Sequence, residues 1–145
     1  MGNTIEKAAE IIQGRTAHKG YNGEYCVLAQ EDLDGRLTAS VVTAARAEGL
    51  KWITFGTGLG SNKAKRIERD NRAAVCFDDE MYGITLRGRM EILTDAESKR
   101  ENWYKGMENH FSGPDDPNFC VLKFHTEKYS LCLLFEGYEE AEGAV

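Results

Sequence analysis

From Tyr25 onward the chain reads as a succession of short runs rich in β-branched and aromatic residues, punctuated by turn residues and by two stretches of helical periodicity. This order constrains the fold most, because strands joined by short turns pair antiparallel, whereas a doubly wound sheet needs a helix after each strand. The runs are YCVLAQ at 25–30, LTASVVTA at 37–44, LKWITFGT at 50–57, RAAVCFD at 72–78, a long run at 82–94, and finally FCVLKFHTE and KYSLCLLFE, two strands meeting at 127–128. Asp34–Gly35 between the first two predicts a hairpin. Within 82–94, Ile84, Leu86, Gly88, Met90 and Ile92 alternate onto one face, and Gly83 and Gly88 are expected at a bulge or a close backbone approach.

Helices are expected at three places. Ile5, Ala8, Ala9 and Ile12 repeat at helical spacing behind the capping residues Asn3 and Thr4, with Gly14 at the exit. A second helix spans about 61–70 with Ala64 and Ile67 inward. Thr94 and Glu97 have capping-box spacing and open a third, along which Ala96, Trp103, Met107 and Phe111 form an apolar stripe. FSGPDDPN reads as loop. Strands dominate, and the expected class is mainly β with α insertions, an antiparallel barrel closed fully or in part, in a single domain over 1–145.

Composition narrows the function. Eighteen basic against 24 acidic side chains give a net charge of -6, the wrong sign for attraction to a nucleic-acid backbone or an anionic membrane. Cys26, Cys76, Cys120 and Cys132 are far apart without a C-x-x-C pair, which suits reduced, buried thiols better than a zinc site or a disulfide framework. His18, His110 and His125 share no metal-ligand spacing and read as surface or capping side chains, so no metal residues are assigned. The opening MGNTIEKAAEIIQG has neither the basic start nor the apolar length of a secretory leader, and a cytoplasmic protein is expected.

The segment that carries chemistry is ITFGTGLGSNKAKRIERD, an apolar strand running through three glycines into Ser61, Asn62, Lys63 and a helix. Glycines let backbone N–H groups approach a ligand, a helix N-terminus supplies unpaired donors and positive potential, and Lys63 adds a full charge, so the corner suits an anion. The same residues also suit a plain corner in which Ser61 only caps the helix. A triphosphate-binding P-loop does not fit, since Lys63 follows asparagine and precedes alanine. A dinucleotide fingerprint comes nearer, with Gly56-x-Gly58, Ser61 at the third glycine position and Asp78 closing the next strand, but the chain offers one βαβ unit where several are needed.

The stretch LKWITFGTGLGSNKAKRIERDNRAAVCFD at 50–78 resembles the strand, threonine-containing turn, Ser-x-Lys, helix and strand of the pyridoxamine 5'-phosphate oxidase-like superfamily, most of all its general stress protein 26-like branch. The likeness continues through LRGRMEILTD, ENWYKGMENHF and GPDDPNFCVLKF, covering roughly residues 5 to 137. It implies a six-stranded split β-barrel of the FMN-binding type, working as a homodimer with flavin sites at the interface. It implies also that Thr57, Ser61, Asn62 and Lys63 meet the flavin phosphate, and that Thr38, Ser40, Val41, Val42 and Thr43 lie along the ribityl chain and ring. Relatives often carry arginine or lysine on the 38–43 strand and at the middle of Ser-x-Lys, where this chain has threonines, Ser40 and Asn62. They also tend to carry a tryptophan on the last strand, where this chain reads SLCLLFEG. The C-terminal arginine and histidine motif of true pyridoxamine phosphate oxidases is absent, so vitamin B6 oxidation is not expected.

The expected function is therefore an FMN-dependent oxidoreductase that passes electrons from a donor such as NAD(P)H to a small organic acceptor. No catalytic side chain is assigned, because the cofactor performs the transfer. The alternatives are a non-catalytic flavin-binding stress-response protein, or a haem- or deazaflavin-binding protein on the same barrel.

Overall fold

The structure, a computed structural model, describes residues 2–17 and 24–145. Asn3 caps helix α1 (Thr4–Gly14), its side-chain oxygen accepting the Glu6 N–H, and Ala8 and Ile12 are buried. Strands β1 (Cys26–Glu31) and β2 (Leu37–Val42) form the expected hairpin, with Gly35 at φ +86 in the left-handed region that glycine tolerates best. Then come β3 (Arg46–Glu48), β4 (Trp52–Gly58), α2 (Asn62–Arg69), β5 (Arg72–Asp79), β6 (Tyr82–Leu93), α3 (Ala96–Glu101), a 3₁₀ turn at Met107–Asn109, β7 (Phe119–Leu133) and β8 (Ala141–Ala144). No helix among the described residues is long and apolar enough to cross a membrane.

The eight strands form one sheet in the order β2-β1-β5-β6-β7-β4-β3, with β8 added to β7. Every pairing between these strands is antiparallel. β2 and β3 stand at opposite ends of that path, yet only Thr43, Ala44 and Ala45 join them. Four peptide steps reach about 15 Å, whereas the two edges of a flat seven-strand sheet stand about 29 Å apart. The sheet therefore curls until its edges face each other. Among the described residues no ladder joins β2 to β3, so it stays open along that seam.

The main core fills the inside of the curl: Leu28, Ile53, Phe55, Val75, Phe77, Ile84, Leu86, Leu122 and Phe124 are each 2% exposed or less, and Ala8 and Ile12 of α1 close it. A smaller cluster of Met107, Phe119 and Val121, with Trp103 and Phe111 packed on it, lies on the other face of β4 and β7.

β7 corrects the expectation of two last strands. It runs unbroken for 15 residues, but the register with β6 skips one residue, Arg87 pairing with Lys128 and Gly88 with Thr126, so Glu127 bulges out. One extra residue exchanges the two faces of a strand. Before the bulge Cys120, Leu122 and Phe124 face the core, and after it Leu131 and Leu133 do, which is why the pattern broke at 127–128. Gly88 sits opposite the bulge, and a Cβ there would overlap the His125 carbonyl oxygen; at Gly83 nothing approaches within 4 Å, so only Gly88 fulfils the expectation made for both.

The third helix is also corrected. Asp95, not Thr94, is its N-cap, accepting the Ser98 N–H, and it ends at Glu101 after six residues. Gly106 follows in a left-handed conformation (φ +110) that a helix cannot contain, so Trp103, Met107 and Phe111 meet Phe119 from turns rather than from one helical face. β3 and β8 were not foreseen: three and four residues long, they carry too little alternation to declare themselves.

Candidate functional site

β4 delivers the glycine-rich corner to α2, and Ser61 is the N-cap, its Oγ accepting the Ala64 N–H at 3.2 Å. Thr57 Oγ1 donates to the same hydroxyl at 2.9 Å, tying the end of the strand to the start of the helix. Ser61 satisfies one N–H of the first turn, and those of Asn62 and Lys63 find no protein acceptor among the described residues. Lys63 makes no ion pair among the described residues either, so the corner holds one full positive charge, two free backbone donors and two hydroxyls. Gly56 and Gly58 serve packing at this corner: a side chain at Gly56 would strike Met107, and one at Gly58 would strike Asn118, whose carbonyl takes the Leu59 N–H at 2.7 Å.

The two arginines of α2 are committed elsewhere. Arg66, largely buried, reaches Asp32 in the β1–β2 connection at 3.0 Å, and Arg69 donates to the Asp32 carbonyl at 2.7 Å and meets Glu31 at 3.6 Å. These bonds, with the Arg66 guanidinium holding Asp32 below the usual carboxylate range, pin the helix to the hairpin.

Behind the helix Asp70 closes on Arg72 at 2.6 Å, and those hydrogen bonds bring its carboxyl from 3.8 down to about 2. A lowered carboxylate stabilises the fold above its unfolded value and loses that contribution as pH falls through the folded one. Asp70→Asn is accordingly expected to melt below the wild type at neutral pH, with the gap closing between pH 4 and about 2. Parallel melting curves across that window would contradict it.

Gln30 joins the corner to β2, and sequence reasoning missed it. Its side chain is 4% exposed, and Nε2 donates to the Lys63 carbonyl at 3.2 Å, while its register partner on β2 is Thr38. The signal available was a lone amide among the inward residues Cys26 and Leu28. Thr38, Ser40 and Val42 are half-buried on β2, and Val41 is 69% exposed. Thr43 lies just past the strand, near Tyr104; burial raises the Tyr104 phenol above its ordinary value and the neighbouring Thr43 acts against that. Thr57, Ser61, Asn62 and Lys63 are thus together, Thr38 is joined to them through Gln30, and the strand carries the set to Thr43, roughly 17 Å further at 3.3 Å per residue.

The other candidates lie apart. His125 pairs with Glu91 at 2.8 Å on an exposed face, His110 follows the 3₁₀ turn, and His18 falls outside the described residues. Cys26 and Cys120 are buried, and burial pushes their thiols up to about 12 and about 11, away from reactivity. A groove of about 550 Å³ between β1, β5 and β6, rimmed by Arg72, Arg87 and Arg89, is lined by none of the nine expected residues.

Residues 9–132 match the family model described as pyridoxamine 5'-phosphate oxidase. General stress protein 26 of Bacillus subtilis is 30% identical over 80 residues, which are 52% of this chain and 57% of that protein. Among solved structures, a Clostridium acetobutylicum protein related to general stress protein 26 superposes with a TM-score of 0.77 at 20% identity, covering 97% of this chain and 94% of its own. A haem-binding protein from Mycobacterium smegmatis superposes with a TM-score of 0.67 at 18% identity, covering 94% of this chain and 57% of its own.

Proposed function

We propose, since the chain belongs to the pyridoxamine 5'-phosphate oxidase family, that it is a split-barrel flavoprotein holding FMN and passing electrons from a donor such as NAD(P)H to a small organic acceptor. The observation that carries this reading is the corner at 57–63, where the free N–H groups of Asn62 and Lys63 and the Ser61 hydroxyl, to which Thr57 donates, share the first helical turn with the Lys63 cation. That donor set fits a phosphate, which offers only acceptors and negative charge. From the corner, β2 offers an extended path through Thr38, Ser40, Val41, Val42 and Thr43 for the ribityl chain and ring. Tyr104 lies near Thr43 at its far end. Bound FMN supplies the redox chemistry; the protein's part is to fix the phosphate, align the ring and limit access.

We infer a homodimer built on the same strand. β2 is a sheet edge carrying Leu37 at 89% and Val41 at 69% exposure, and an apolar edge of this kind is normally covered. A second copy seated there encloses what runs along β2.

The purified protein is expected to be yellow, with the paired absorption bands of oxidised flavin, and to bleach on anaerobic mixing with NADH or NADPH. A haem spectrum would transfer the site to the ligand named for the Mycobacterium smegmatis neighbour. Flavin bands that no nicotinamide bleaches would leave binding without the oxidoreductase reaction.

A further inference from the structure

Thr54 and Thr57 face opposite sides of β4, so the outer side of this strand presents a second polar region unrelated to the corner at Ser61. Thr54 is 2% exposed and Asn102 at the end of α3 is 5% exposed. Thr54 Oγ1 donates to Asn102 Oδ1 at 2.5 Å and accepts the Arg46 N–H at 3.1 Å, and Asn102 Nδ2 donates to the Ser98 carbonyl at 2.8 Å. This satisfied pair floors a niche of about 240 Å³ walled by Arg46, Trp52, Leu93, Ser98, Glu101 and Lys123.

Its charge is unbalanced. Lys123 Nζ lies 4.5 Å from the centre of the Trp52 ring and has no carboxylate partner among the described residues, because Glu91, its register partner on β6, is engaged by His125 at 2.8 Å. Arg46 meets Glu101 only at 4.0 Å. Among the lining residues two cations thus accompany one carboxylate, with Glu48 accepting the Trp52 Nε1–H at 2.8 Å at the indole edge, in a chain whose net charge is -6. A cation over an indole ring with no ion pair of its own, beside an aliphatic wall and a polar floor, is complementary to a single carboxylate borne on a flat apolar body.

We propose that this niche binds a small aromatic monocarboxylate, with Lys123 and Arg46 holding the carboxylate and Trp52 and Leu93 the ring. The site stands independently of the cofactor reading. Sodium benzoate is the probe and Trp52 the reporter: the chain has 2 tryptophans, and Trp103→Phe leaves Trp52 as the sole indole. Benzoate is expected to change the fluorescence of that variant saturably. Added to it, Lys123→Met weakens binding about tenfold or more, the scale of one charge-assisted contact, while Lys123→Arg retains most of it and Lys63→Ala leaves it unchanged. Thermal melting of each variant verifies that it is folded. A change that never saturates, equal affinity in folded Lys123→Met, or inorganic phosphate displacing benzoate at equal concentration overturns the proposal.

Discussion

Gly88→Ala is expected to lower the melting temperature by about 10 °C, while Gly83→Ala, five residues earlier on the same strand, leaves it nearly unchanged. The difference comes from what each new methyl group meets. At Gly83 it enters open space, whereas at Gly88 it overlaps the His125 carbonyl oxygen and crowds Thr126 Cα, both backbone. Backbone cannot step aside by a rotamer change, so the β6–β7 ladder must part at the point where Glu127 bulges. Overpacking of this kind costs about 3 kcal/mol, and in a chain of this size each kcal/mol moves the midpoint by roughly 2–4 °C. Equal melting of the two variants would mean that the bulge yields freely and that Gly88 is replaceable. The comparison needs no ligand, so it probes the barrel apart from anything the barrel holds.

The same bulge explains how much of the fold the sequence carried. Strands that bury one face announce themselves by alternation, and β1, β5 and β6 were legible within a residue or two for that reason. β7 is buried on both faces before the bulge, by the main core and by the cluster around Phe119, and it changes parity after it, so one long strand read as two. The third helix failed for a different reason. Trp103, Met107 and Phe111 do pack together, as the apolar spacing implied, but Gly106 allows the chain to reach that packing through a left-handed turn. Hydrophobic spacing records which residues are buried together more reliably than the backbone path between them.

At the site, the corner from Thr57 to Lys63 was legible because its parts are adjacent in sequence and each has a local physical role: a strand end, a cap, a free donor, a charge. Gln30 was invisible, since its value lies in a contact with the Lys63 carbonyl 33 residues away. Tyr104 was equally invisible, since it lies 61 positions from Thr43, which it neighbours in the fold. The roles of Arg66 and Arg69 were equally hidden. Their sequence suggests a basic helix, but the structure spends both on the β1–β2 hairpin.

That division of labour among the cations of α2 yields the sharpest test of the proposed cofactor. Lys63→Ala is expected to weaken FMN binding by about 10- to 100-fold, the loss of one charge-assisted contact worth roughly 1.5–3 kcal/mol. Lys65→Ala should change it by no more than about twofold, the residue lying exposed on the helix surface beyond the first turn. Both variants remove one positive charge from the same short helix, so any effect of net charge on the chain is common to the two and cancels. Both also replace lysine by a strong helix former, so a difference in helix stability is not expected. Fluorescence titration of the apoprotein with FMN reads the two dissociation constants directly, and raising the salt concentration should narrow the gap between wild type and Lys63→Ala while leaving Lys65→Ala beside the wild type. Equal retention of FMN by the two variants would take the phosphate away from this corner, whatever the colour of the purified protein.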